Sequence, residues 1–466
     1  MTTLAALDAD RIEALSGSFS GTVLQPGDDR YEAARLVHNG LIDKRPALIA
    51  RCRGAADVSA AVGLARETGL EISIRGGGHN IAGRSVTQGG LMIDLADMKG
   101  MYVDPRAQTI RAQGGVIWSE FNRETAAHGL AVTGGAVSTT GIAGLTLGGG
   151  LGWLMGIHGL AADNLRSVEL VNADGTVLNV TAESDPDLFW ALRGGGGNFG
   201  VATSFEYRLH PLGEIFGGLI AHPFEAARDV LRFYREFTQS VPDELTVFAG
   251  LVYAPGSSEL RLAALVVCHA GTVEQAQRDT APLREFGEPL MVELGPMPYP
   301  VINTLLDAGF PRGALNYWKS SFVESLDDAL IDLAIERFDT TPSPLNGILI
   351  EHFHGAVTRV GVGDTAVPHR EVGYNLLLPS VWTDPADTEA NVAWTRASFD
   401  LFSPYFANRR WLNYFSDDDG ADAVRAAYGP NYDRLVEVKR RHDPENVFRL
   451  NHNIDPVGRG GAQANA

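Results

Sequence analysis

Cysteine is almost missing from this chain: Cys52 and Cys268 are the only two in 466 residues, far apart and each in an apolar stretch. This excludes a disulfide framework, a CxxC redox pair and a thiolate zinc set, and leaves two buried, inert thiols as the reading. Basic charge is also short. Against 57 acidic residues stand 38 lysines and arginines, a net charge of -19 without any basic block. Such a balance opposes attraction to phosphate backbones and anionic membranes, so no nucleic-acid or membrane partner is expected. No run approaches the ~18 uninterrupted apolar residues of a membrane helix. Residues 1–10 lack a basic head and are interrupted by Asp8 and Asp10, which points away from a signal peptide and toward a cytoplasmic protein. Low-complexity tracts are absent, and disorder is expected only at the ends, chiefly over 458–466. A lysine-bearing phosphate loop, an HExxH zinc site and a GxSxG nucleophile elbow are missing too, leaving hydrolase readings without an anchor.

What the chain has is glycine, 53 in all, concentrated between about 75 and 200 and sparser afterwards. The length exceeds what one core usually supports, and the shift in composition near His210-Pro211-Leu212-Gly213 suggests a boundary between two domains. Before it, strands are expected over 46–51 and 71–74 around an alanine-rich helix over 55–68, a β-α-β beginning. Further strands are read at 91–95 and 109–112, with a helix over 116–128 closed by Gly129. Asn172-Ala173-Asp174-Gly175 signals a hairpin between 167–171 and 177–180. After the boundary, strands such as 245–252 and 260–267 alternate with helices near 225–238, 273–285, 326–338 and 387–403. The fold class is α+β, with a sizeable antiparallel sheet in the second part. An amphipathic helix over 432–441 precedes a segment, 448–454, that is expected to return to the first domain.

Three glycine clusters stand out. Arg75-Gly76-Gly77-Gly78-His79-Asn80 follows a strand and sets His79 at the tip of a turn whose amides can approach a ligand closely. The stretch from Gly134 to Gly152 is rich in small residues and hydroxyls and nearly free of charge. Gly195-Gly196-Gly197-Asn198-Phe199-Gly200 fits GxGxxG formally, but a capped helix precedes it and a strand follows, the reverse of a dinucleotide fingerprint. Glycine costs up to ~1 kcal/mol per residue in a regular element. Three such clusters therefore point to an extended ligand with phosphates and a planar ring.

These segments, together with Gly159 to Asn164, Asn413-Tyr414 and Asn451-His452-Asn453-Ile454, resemble the berberine bridge enzyme-like FAD-linked oxidases of the vanillyl alcohol oxidase and p-cresol methylhydroxylase superfamily. The resemblance spans most of the chain in the same motif order. It implies a discontinuous FAD-binding domain of the p-cresol methylhydroxylase type, 1–213 plus 410–466, and an inserted substrate domain, 214–409, whose sheet faces the isoalloxazine ring. It implies a covalent bond from His79 to the 8α-methyl carbon of the flavin. Where many relatives add a cysteinyl link this sequence has Val137, so a single attachment is expected. The implied cofactor contacts are Arg75, Gly76, Gly77, Gly78 and Asn80 around His79, then Gly135, Ser138, Thr139, Thr140, Gly141, Gly144, Gly148, Gly149, Gly150 and Gly152. Asp163, Asn164, Gly197, Asn198, Gly200, Val201, Asn451 and Asn453 complete the set. Thr140 matches the family's oxygen-access gate, where valine accompanies oxidase behaviour.

Tyr414 matches the catalytic tyrosine of the family, and Asn413 is placed to hold substrate or ring. A phenol titrates near ~10 unperturbed, so a tyrosine base needs a depressed pKa or concerted transfer. Along 348–354, Glu351 and Phe353 face one side of a strand and His352 and His354 the other. Glu351, Phe353, Tyr374 and Trp382 are the substrate-facing candidates, with Asn375 beside them. His352 and His354 lack a third ligand, so no metal is expected. The expected activity is hydride transfer from a small or medium organic alcohol or amine to FAD, with molecular oxygen reoxidising the flavin to give peroxide. A dehydrogenase of the same fold using another acceptor, and a redox-silent binding protein, are the alternatives.

Overall fold

The computed structural model describes residues 9–457. Residues 1–8 and 458–466, which include the tail expected to be disordered, lie outside the described residues.

Near the N-terminus, helix Ala55–Thr68 has the expected bounds, buries Val58, Ala61, Val62, Leu64 and Ala65 and ends at Gly69, whose φ of +70° stops it. That apolar face packs with Leu48, Ala50, Ile72, Leu91 and Ile93 of a four-stranded sheet. Leu48–Arg51 and Ile72–Arg75 both run parallel to Leu91–Asp94, which lies between them. Their carboxyl ends therefore share one edge, where ligands of parallel sheets bind. The glycine turn after Arg75 leaves from that edge.

A five-stranded antiparallel sheet follows, in the order Met101–Asp104, Thr109–Gln113, Val201–Arg208, Leu165–Val171, Val177–Val180. The expected hairpin closes on Gly175 at φ +87°. The expected helix over 116–128 spans Trp118–Ala126. Helix Tyr432–His442 packs back on this part through Leu435, Val436 and Val438, and its buried Lys439 donates to Asn198 O, Asp443 Oδ2 and Phe448 O at 2.6–3.0 Å. The C-terminal segment is thereby held against the third glycine cluster.

The largest sheet has seven antiparallel strands, with Ile348–Phe353 between Leu245–Tyr253 and Gly373–Trp382. Helices Ala227–Phe237, Asp328–Asp339 and Thr388–Phe402 cover one of its faces. The helix expected over 273–285 is two, Val273–Asp279 and Ala281–Glu285, because Pro282 cannot continue the first. The uncovered face turns toward the glycine-rich half, and a long cavity runs between them. No helix among the described residues is long and apolar enough to cross a membrane.

Candidate active site

The cavity encloses about 1840 Å³ of space free of protein atoms, its mouth included. One wall is backbone. Gly77 and Gly141 face each other so closely that a Cβ on Gly77 would lie 2.4 Å from Gly141 N, and Gly78 turns the chain at φ +74°. Those two requirements place His79 on the wall with Gly76, Gly77, Gly78 and Asn80. Gly135, Val137, Thr140, Gly141, Gly144 and Gly148 form a second strip, and Gly197, Asn198, Gly200 and Asn451 a third.

The facing wall consists of side chains. Ile81, Trp318 and Leu377 form an apolar cluster with Phe310, Leu349 and Tyr414 packed on it. Glu351 stands among them, the single acid on the cavity wall among the described residues. It is 5% exposed. Tyr414 donates its hydroxyl to Glu351 Oε1 at 2.8 Å, and Asn375 Nδ2 donates to Oε2 at 2.7 Å. Burial pushes the Glu351 carboxyl up to about 7, against the pull of those two hydrogen bonds. Apolar surroundings and the neighbouring carboxylate push the Tyr414 phenol well above its ordinary value, opposite to the direction that a free phenolate base requires.

Several predicted residues serve the site from behind rather than line it. Arg75 is spent on a buried ion pair, Nε to Asp94 Oδ1 at 2.8 Å and Nη2 to Oδ2 at 2.5 Å, which ties the glycine turn to the sheet. Ser138 is bound to Asp307, and Thr139 reaches His79 Nε2 at 2.9 Å from outside the cavity. Gly149, Gly150 and Gly152 pack against Trp411, Ala161 and Gly134, in a turn beneath the wall. Asp163 pairs with Arg370, Asn164 meets His210, and Val201 is in the core of the first sheet. Asn453 lies just past the lining residues Leu450, Asn451 and His452.

Three substrate candidates are corrected. Tyr374 points into the helix layer, where its hydroxyl meets Thr238 at 2.7 Å, and Trp382 points the same way toward Thr388. Even-numbered residues of that strand face the helices, so the alternation that brings Leu377 to the cavity removes both. Phe353 shares the face of Glu351 but packs on Trp411 and Phe322 below the cavity. Sequence reasoning also missed His38, Arg84, Phe310 and Trp318 on the wall. Arg84 had a usable signal, since its amide closes the glycine turn on Asn80 Oδ1 at 2.9 Å. The others arrive from distant segments. His352 and His354 stack with ring centroids 4.8 Å apart on the far face, and no group of three potential metal ligands occurs among the described residues.

Buried polar atoms test whether the cavity suits a large polar ligand. Arg84 Nε, Asn413 Oδ1, Asn451 Oδ1 and both ring nitrogens of His452 lack hydrogen-bond partners within the protein, and all four residues line the cavity. Unpaired buried groups are costly. A ligand carrying phosphates, hydroxyls and a heteroaromatic ring would satisfy them, and FAD fits.

Residues 46–181 match the model of the family described as FAD binding domain, and residues 411–455 that described as berberine and berberine like. The (R)-6-hydroxynicotine oxidase of Paenarthrobacter nicotinovorans is 32% identical over 470 residues, covering 95% of this chain and 98% of that protein. The chain belongs to the berberine bridge enzyme-like family of FAD-linked oxidoreductases. An FAD-linked oxidoreductase of Dictyostelium discoideum is 29% identical, with 94% of this chain and 96% of that protein covered. The solved structure of 6-hydroxy-D-nicotine oxidase from Arthrobacter nicotinovorans superimposes with a TM-score of 0.86 at 30% identity, covering 94% of this chain and 98% of that one. As a member of this family the protein is an FAD-dependent oxidoreductase acting on a small-molecule substrate, and its architecture is α+β with a p-cresol methylhydroxylase-type FAD-binding domain.

Proposed function

We propose that this berberine bridge enzyme-like protein is an oxidase that takes hydride from a compact, largely apolar amine or alcohol, with FAD held covalently through His79 and oxygen reduced to hydrogen peroxide. Bound FAD supplies the hydride acceptor and the route to oxygen. A domain formed by 1–213 and 410–466 holds it, and 214–409 supplies the substrate wall. Amides of Gly76, Gly77 and Gly78 meet the cofactor's polar groups, Asn413, Asn451 and His452 satisfy others, and His79 is the point of attachment. The thiols of Cys52 and Cys268 are buried and neither lines the cavity, whereas Val137 stands on its wall, in keeping with a single link.

The observation that carries the reading is the Tyr414–Glu351 hydrogen bond at the apolar wall. Glu351 takes the substrate's heteroatom proton through the Tyr414 hydroxyl, so Tyr414 needs no phenolate of its own. A carboxylate poised near neutral pH is suited to that task. Trp318, Phe310, Leu349 and Leu377 exclude water and favour a flat apolar substrate. The relative named for 6-hydroxynicotine supports that choice, and Thr140, which lines the wall and is close in volume to the valine that accompanies oxidase behaviour at the family's gate, favours oxygen as acceptor.

Acid precipitation tests the attachment: the wild-type pellet stays yellow and that of His79→Ala turns colourless. Turnover of amines and alcohols is then followed in air by peroxide release and, without oxygen, by dye reduction. Reoxidation by the dye alone would replace the oxidase with a dehydrogenase.

A further inference from the structure

The ring of His79 does not stand alone. The imidazole of His38 lies flat on it, with centroids 3.8 Å apart and planes at 23°. His38 is 5% exposed and fixed at both ends of its peptide, its amide donating to Gly78 O at 3.0 Å and its carbonyl accepting from Gly313 N at 2.9 Å. The edge of His79 faces two hydroxyls, Thr139 Oγ1 at 2.9 Å from Nε2 and Thr140 Oγ1 at 3.5 Å from Nδ1. Hydrogen bonds at one edge leave the ring plane loosely defined, because the terminal torsion of histidine is broad. A rigid flat face beside it removes that freedom. Burial also keeps both rings neutral, His38 being pushed down to about 4.

We propose that His38 is a positioning residue for flavin attachment, holding the His79 imidazole by ring stacking in the plane from which it bonds to the flavin methyl carbon. The inference rests on the covalent reading above. In that step a carbon–nitrogen bond forms between the methyl carbon and an imidazole nitrogen. One methyl hydrogen and the imidazole N–H hydrogen leave as protons, the electron pair of the broken C–H bond stays on the flavin, and oxygen takes that pair with the two protons to give hydrogen peroxide. His38 contributes orientation and no atoms.

The test needs no substrate. Wild type, His38→Ala, His38→Leu and His38→Phe are expressed in parallel and sampled through induction in air, and acid-stable flavin is compared with total bound flavin over time, with in-gel fluorescence as a second readout. At equal total flavin, the acid-stable fraction at early times should fall about tenfold in His38→Ala and His38→Leu and return to within about twofold in His38→Phe, orientation alone being worth at least this much. Attachment at the wild-type rate in His38→Ala, or equal rates in His38→Leu and His38→Phe, would overturn the proposal. Should His38→Ala fail to fold, the comparison of Leu with Phe decides. Absence of acid-stable flavin in the wild type, or its survival in His79→Ala, would remove the attachment reading and this proposal with it, an outcome distinct from a wild type that attaches normally while His38→Ala does so equally well.

Discussion

The two walls of the cavity are built on opposite principles. On the glycine-rich side the main chain itself meets the ligand, and positions such as Gly77 and Gly141 have no room for a Cβ at all. On the sheet side the backbone is consumed by strand pairing, so that only side chains reach the cavity: Leu349 and Glu351 from one strand, Leu377 from the next and Trp318 from the edge strand. A backbone wall recognises what every substrate pairing has in common, the cofactor. A side-chain wall can change what it recognises without disturbing the sheet that carries it.

This contrast is broken or sharpened most strongly at the glycines. Gly77→Val should abolish FAD retention and cost the fold ~1–3 kcal/mol or more, as overpacking does; flavin absorbance and thermal unfolding measure both, and a yellow, stable variant would end the backbone-wall argument. Next in size is the acid. Glu351→Gln should keep FAD bound yet slow substrate-dependent bleaching ~10²–10⁴-fold, the usual worth of a general base. Because the base must be deprotonated, the wild-type rate should climb as pH rises through about 7, and the Gln variant should lose that limb. Trp318→Ala should raise KM about tenfold with kcat little changed, since it removes binding felt equally in ground and transition states. The smallest effect lies on the sheet's other face: Tyr374→Phe deletes the hydrogen bond to Thr238 and should cost ~0.5–1.5 kcal/mol of stability with turnover unaltered.

Much of the architecture is legible locally. Helix Ala55–Thr68 is legible because its alanine-rich run lies between two short apolar strands, and helix Pro186–Leu192 because Asp185 caps it through Leu188 N at 3.0 Å. The glycine clusters point to a ligand because three of them recur within about 125 residues, although Gly149, Gly150 and Gly152 serve close packing of the chain instead. Arg75 shows the limit of a motif. It stands beside the glycines in sequence, but only the pairing of its strand with Leu91–Asp94 makes Asp94 its partner.

The sequence by itself determined where the chain turns, which strands alternate and that the glycine clusters suit a large polar ligand, since these follow from residue type and near neighbours, while His79 and Tyr414 were singled out by the motifs that resemble the family. Only the tertiary structure decided that Glu351 meets Tyr414, that His38 covers His79, and that Tyr374 and Trp382 look away. Alternation defines two faces of a strand without saying which one the helices will cover. That choice is made when Ala227–Phe237, Asp328–Asp339 and Thr388–Phe402 bury their apolar sides on one face, leaving the other to close over the cofactor cavity.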